Sequence, residues 1–164
     1  MIEWWQALVL ALIQGLTEFL PISSSAHLLL PSLLLGWPDQ GLAFDVAVHL
    51  GTLLAVMAYF RKDLWALILG AGKALAHRRM NQNSWELAYL GLATVPAVLA
   101  GFALNDVMDS LRSVPVLATT TIVFALLLGY ADRRVAPAAS AVVASWRVAL
   151  VIGLAQAIAP IPGT

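Results

Sequence analysis

The sequence predicts an all-α integral membrane protein, with transmembrane helices and re-entrant helical hairpins arranged as an inverted-topology repeat. Three observations carry that prediction. The 164 residues are 61% apolar before the 11 glycines are counted, against about 45–50% with glycine included in soluble domains. Charged residues make up 11%, where about 25% is usual. A broken helix near the start of the chain is echoed near its end. Nine basic and nine acidic side chains cancel, so no strong field would recruit nucleic acid. The absence of cysteine excludes disulfides, thiol nucleophiles and thiolate zinc sites.

The chain reads as one polytopic domain, 1–164, and its first element, 4–35, is not an ordinary helix. An apolar run from Trp4 stops after Leu20, because Pro21 lacks an N–H and disfavours helix at the residue before it. Ser23, Ser24 and Ser25 then offer N-caps for a second run that ends at Leu35. The break makes either a kinked span or a hairpin whose tip reaches mid-membrane. Non-helical backbone survives at that depth only when buried in protein or lining a wet cavity.

Residues 44–60, 87–105 and 113–131 follow as transmembrane helices. The last two contain no Asp, Glu, Lys or Arg and suit a crossing of about 20 residues. Residues 64–76 are too short to cross and are expected at the interface. Residues 148–164 begin a second hairpin. Trp4, Trp5, Trp37, Trp65, Trp85 and Trp146 close apolar runs, as interfacial anchors do. The first five residues carry no Lys or Arg, which argues against a cleaved signal peptide. Arg61, Lys62, Lys73, Arg78, Arg79, Arg133, Arg134 and Arg147 place 61–85 and 132–147 in the cytoplasm. Segments 36–45 and 105–112 lie outside, where Arg112, beside Asp106 and Asp109, is the sole basic residue.

The repeat aligns Gly15-Leu16-Thr17-Glu18 and Pro21-Ile22 with Gly153-Leu154-Ala155-Gln156 and Pro160-Ile161, with Ala159 inserted. The three predicted crossings between the copies are an odd number, so the second copy is inverted. Inverted repeats with broken helices hold their site near the midplane, with half-helix N-termini facing an anionic group. The chain stops at Thr164, inside the second copy, and reads as the N-terminal part of a longer protein.

Candidate chemistry concentrates between Gln14 and His27. Glu18 is the only acid between Glu3 and Asp39. A charged side chain at the membrane centre costs about 2.5–3.5 kcal/mol on insertion scales, which makes it a functional candidate. Gln14 lies one turn earlier on the same face, so the two can share a metal or hold a water. The serine cluster brings hydroxyls and backbone N–H groups to a helix start, an arrangement suited to phosphate. His27 follows Ser24 by three residues, so its imidazole can lie beside that hydroxyl as acid, base or nucleophile. His49, four residues after Asp45, could form a polar pair with it at a pocket mouth, but an interfacial cap is the expected role. Pro96 is expected to kink its span.

The stretch from Gln14 to Leu28, Gln-Gly-Leu-Thr-Glu-Phe-Leu-Pro-Ile-Ser-Ser-Ser-Ala-His-Leu, resembles the first signature of the bacterial undecaprenyl-pyrophosphate phosphatases of the bacitracin-resistance type. Residues 44–52 resemble the segment that follows it. Pro160-Ile161-Pro162-Gly163-Thr164 resembles the opening of the second signature, a Pro-Gly turn running into Ser-Arg-Ser.

The resemblance implies hydrolysis of undecaprenyl pyrophosphate to the monophosphate and inorganic phosphate. This recycles the lipid carrier for peptidoglycan synthesis and gives bacitracin resistance. It implies a multi-pass protein of the bacterial plasma membrane with a site facing the periplasm. Its partners would be a polyprenyl pyrophosphate, surrounding lipids and, if it dimerises, a second copy. Glu18, Ser24 and His27 match catalytic positions, with nucleophile and acid–base roles open between Ser24 and His27. Gln14, Ser23, Ser25, Gly163 and Thr164 match substrate-binding positions. Glu18 with Gln14 would hold a divalent cation, Mg²⁺ or Ca²⁺, although Gln14 stands where many members have a second carboxylate. The arginine expected after Thr164 would clamp the pyrophosphate, so this fragment alone is expected to be inactive. The alternative is a polyprenyl-phosphate flippase or transporter without hydrolytic activity, because broken helices in inverted repeats serve transport equally well.

Overall fold

A computed structural model describes residues 2–134 and 145–164, except the Asp109 side chain. Helix is the only regular secondary structure among these residues. The residues 135–144 of the expected cytoplasmic segment 132–147 lie outside them. The elements are α1 (Trp4–Thr17), α2 (Ser24–Leu35), α3 (Leu42–Tyr59), α4 (Arg61–His77) and α5 (Gln82–Leu104). A 3₁₀ turn (Asn105–Val107), the short α6 (Met108–Leu111), α7 (Val114–Asp132) and α8 (Trp146–Gln156) complete the order. Three stretches are long and apolar enough to cross a bilayer: Leu42–Tyr59, Gln82–Val107 and Val114–Asp132.

The chain divides into two compact units. The first comprises Met1–Val56, Val107–Tyr130 and Ile161–Thr164. In α1 the buried residues are Gln6, Leu10, Gln14 and Thr17, a single stripe at helical spacing, while Leu8, Leu12 and Leu16 on the other faces are exposed. That polar-inside, apolar-outside distribution is what lipid demands. α1 ends at Thr17, earlier than Pro21 requires, and Glu18 is its C-cap. The N–H of Leu20 returns to the Thr17 carbonyl and that of Ile22 to the Leu20 carbonyl, which closes the turn tightly. Ser23 then caps α2 by accepting the Ala26 N–H. α2 packs on α1, and its Ala26 and Leu29 form a small apolar cluster with Leu117 of α7. Gly36 closes α2 in the left-handed conformation, and Trp37 meets Trp5 edge-on at 5.0 Å.

The second unit comprises Met57–Asp106 and Ala131–Pro160. Asn81 caps α5 in a reciprocal box with Ser84. It also donates its side-chain N–H to the Gly70 carbonyl of α4 at 2.7 Å, and Asn83 donates to the Ala66 carbonyl at 2.9 Å. α8 packs on α5 where Gly153 faces the Ala93 backbone; a Cβ there would stand 2.6 Å from the Ala93 oxygen. α5 continues through Pro96 as helix. α4 begins at Arg61, three residues before the expected start, and carries Arg61, Lys62, Asp63 and Lys73.

Candidate active site

The carboxylate of Glu18 is the hub of the first unit. Being just past the last turn of α1, it is displaced from the apolar outer face of the helix and meets the start of α2. Gln14, one turn back and fully buried, donates Nε2–H to Glu18 Oε2 at 2.8 Å. Ser24 donates its hydroxyl to the same oxygen at 2.6 Å, within the short range of charge-assisted O–H···O⁻ bonds. His49 of α3 brings Nε2 to 3.6 Å from it. The structure thus unites Gln14, Glu18 and Ser24, and it adds His49. The expectation of an interfacial cap for His49 is corrected: its ring faces a carboxylate.

A second group lies across the turn. The hydroxyls of Ser23 and Ser25 are 3.1 Å apart. Gly163 donates its N–H to Ser23 Oγ at 3.1 Å and lies 3.5 Å from Ser25 Oγ. His27 Nδ1 is 2.7 Å from the Ser23 carbonyl. A carbonyl only accepts, so Nδ1 carries the proton and the neutral ring keeps its lone pair on Nε2. His49 Nδ1 likewise donates to a carbonyl, that of Asp45, at 2.7 Å. Ser24 and His27 share no hydrogen bond among the described residues: the hydroxyl turns to Glu18 and the imidazole to Ser23. Thr164 folds its hydroxyl back onto the Ile161 carbonyl at 2.9 Å.

Comparison with known proteins completes this geometry. Residues 7–164 match the family model described as bacitracin resistance protein BacA. The chain belongs to the BacA family. It is 60% identical over 166 residues to an undecaprenyl-diphosphatase of Alcanivorax borkumensis, covering 99% of this chain and 62% of that protein. An undecaprenyl-diphosphatase of Teredinibacter turnerae is 54% identical over 157 residues, 95% of this chain and 60% of that protein. Undecaprenyl-diphosphatase 1 of Pseudoalteromonas translucida is 52% identical over 160 residues, with shares of 97% and 60%. The chain spans about three fifths of the length of these curated relatives.

In this BacA-family site the oxygen donors suit a hard cation. They are a carboxylate, hydroxyls and Gln14 Oε1, which is buried with no hydrogen-bond partner among the described residues. Gln14 turns its nitrogen, not its oxygen, to Glu18. No group of three or more His, Cys, Asp or Glu able to hold a metal occurs among the described residues. By their chemistry Glu18 and Gln14 Oε1 are the donors that would hold such a cation.

Three contributors were invisible in sequence. Arg112 bonds Asp45 and, at 2.7 Å, Asp39. Burial alone would lower its pKa. The hydrogen bond and charge of Asp45, followed by those of Asp39, outweigh burial and hold it above the ordinary value. Gln40 donates to the other Asp45 oxygen at 2.8 Å, so the buried carboxylate at the start of α3 is fully engaged. The third, Thr120 of α7, donates to the Pro162 carbonyl at 2.6 Å.

Proposed function

We propose that this chain carries the first half of a membrane-embedded phosphatase site that hydrolyses undecaprenyl pyrophosphate to the monophosphate and inorganic phosphate. The observation that carries this reading is the Ser24–Glu18 hydrogen bond, an alcohol held by a carboxylate beside hydroxyls and a backbone N–H suited to phosphate. The names of the relatives support the substrate. α1 and α2 form a re-entrant hairpin, and the turn after α8 is the tip of its inverted counterpart. The polyprenyl chain stays in lipid while the headgroup enters from the periplasmic side of the plasma membrane. Release of the carrier phosphate serves cell-wall synthesis and underlies bacitracin resistance.

In the mechanism, Ser24 Oγ bonds to the terminal phosphorus as its proton passes to Glu18 Oε2. The bridging P–O bond breaks, and the electron pair departs with the lipid monophosphate. Water then attacks the phosphoserine phosphorus and gives a proton to His27 Nε2 as the P–Oγ bond breaks. The electron pair returns to Ser24 Oγ, which takes back the proton held by Glu18, and inorganic phosphate leaves with the proton released by His27. Gln14 holds the carboxylate in place throughout. Glu18 and Gln14 Oε1 would hold a divalent cation, which would supply charge neutralisation in the transition state.

Transport is the competing outcome, and one experiment separates the two. The intact protein in vesicles is given undecaprenyl pyrophosphate, and phosphate release and lipid flux are measured together. Release without flux, reduced at least about 100-fold by Glu18→Gln, is expected. Flux without release would replace hydrolysis with a flippase.

A further inference from the structure

Thr120 lies in α7, a span with mean hydropathy 2.0, within the run Thr119-Thr120-Thr121. A threonine in such a helix ordinarily returns its hydroxyl to a carbonyl of the preceding turn. Thr120 Oγ1 is near two of these, Val116 at 2.8 Å and Leu117 at 3.1 Å, but is nearest to the Pro162 carbonyl at 2.6 Å. The hydroxyl has one proton. The two helix carbonyls already accept backbone N–H groups, whereas Pro162 belongs to a turn outside any helix, where lipid supplies no donor.

The seat is tight as well as polar. Gly163 has φ +92°, and a Cβ on it would stand 2.2 Å from Thr120 Oγ1 and 2.8 Å from the Leu117 carbonyl. From this seat the Gly163 N–H reaches Ser23 Oγ. We propose that Thr120 is a positioning residue. Its hydroxyl latches the Pro162–Gly163 turn onto α7 and thereby sets the Gly163 N–H against the serine turn that receives the phosphate. The latch rests on the phosphatase reading for its purpose, but not for its existence.

The test uses the intact protein with Thr120→Val, which keeps the shape and removes the hydroxyl. Thr120→Ser restores it, and Thr119→Val is the control. Amide hydrogen exchange reads the latch without the reaction. Exchange at Gly163 is expected to quicken about tenfold in Thr120→Val and to stay near wild type in the other two. Phosphate release reads its purpose: kcat should fall about tenfold in Thr120→Val with KM within about twofold, and Thr120→Ser should recover it. Should Thr120→Val fold poorly, Thr120→Ala paired with Thr120→Ser gives the same contrast. Unchanged exchange at Gly163 in the variant lacking the hydroxyl would overturn the latch. Equal kcat losses in Thr120→Val and Thr120→Ser would overturn its positioning role. A wild-type protein that releases no phosphate would count against the phosphatase reading alone, with exchange still deciding the latch.

Discussion

Glu18 Oε2 takes hydrogen bonds from Gln14 and Ser24 and faces His49, so each neighbour has a separable consequence. Gln14→Glu would exchange a donor for a second negative charge against the same oxygen. Two facing carboxylates need a cation or a proton between them. The half-saturating Mg²⁺ concentration for phosphate release is therefore expected to fall by about tenfold, and an unchanged value would argue against a cation between these positions. Glu18 and the serine turn were legible in sequence because a charge and three hydroxyls are conspicuous in an apolar stretch. His49 was not, since helical spacing gave it Asp45 as a neighbour and nothing in the chain pointed to Glu18. The direction of the Ser24 hydroxyl was equally hidden: spacing favoured His27, and the early end of α1 at Thr17 gave it Glu18 instead.

Elements were easier to foresee than their fastenings. Charge-free apolar length pointed to helices where α3, α5 and α7 lie, and Pro21 with Ser23 marked where one helix gives way to the next. Arg112 was illegible because its partner Asp45 lies 67 residues away. It ties the segment before α7 to the first turn of α3, one turn before His49. Removing one partner of a buried ion pair strands the other charge. Arg112→Ala is thus expected to cost about 3 kcal/mol, read as a lower melting temperature in detergent. Asp45→Leu combined with Arg112→Leu should recover much of that loss. A melting point unmoved by Arg112→Ala would show that the pair fastens nothing. Asp106, exposed on the 3₁₀ turn, serves as the control for loss of a surface charge.

At the scale of the molecule, polar Gln6, Gln14, Thr17 and Asp45 are buried while Leu8, Leu12, Leu16, Leu50 and Leu53 on the same helices are exposed. Gln6 and Thr17 bond backbone atoms beside them in the chain, Gln14 reaches Glu18, and Asp45 is held by Gln40 and Arg112. This explains why composition alone predicted the class, while the chemistry required coordinates. The central claim is that Ser24, held by Glu18, attacks the lipid diphosphate. Its most direct measurement is a rapid quench of the intact protein with undecaprenyl pyrophosphate labelled at the terminal phosphorus, followed by mapping of the labelled residue. The label is expected on Ser24, absent in Ser24→Ala and strongly reduced in Glu18→Gln. A phosphoramidate on His27 with Ser24 unlabelled, or full turnover by Ser24→Ala, would contradict it.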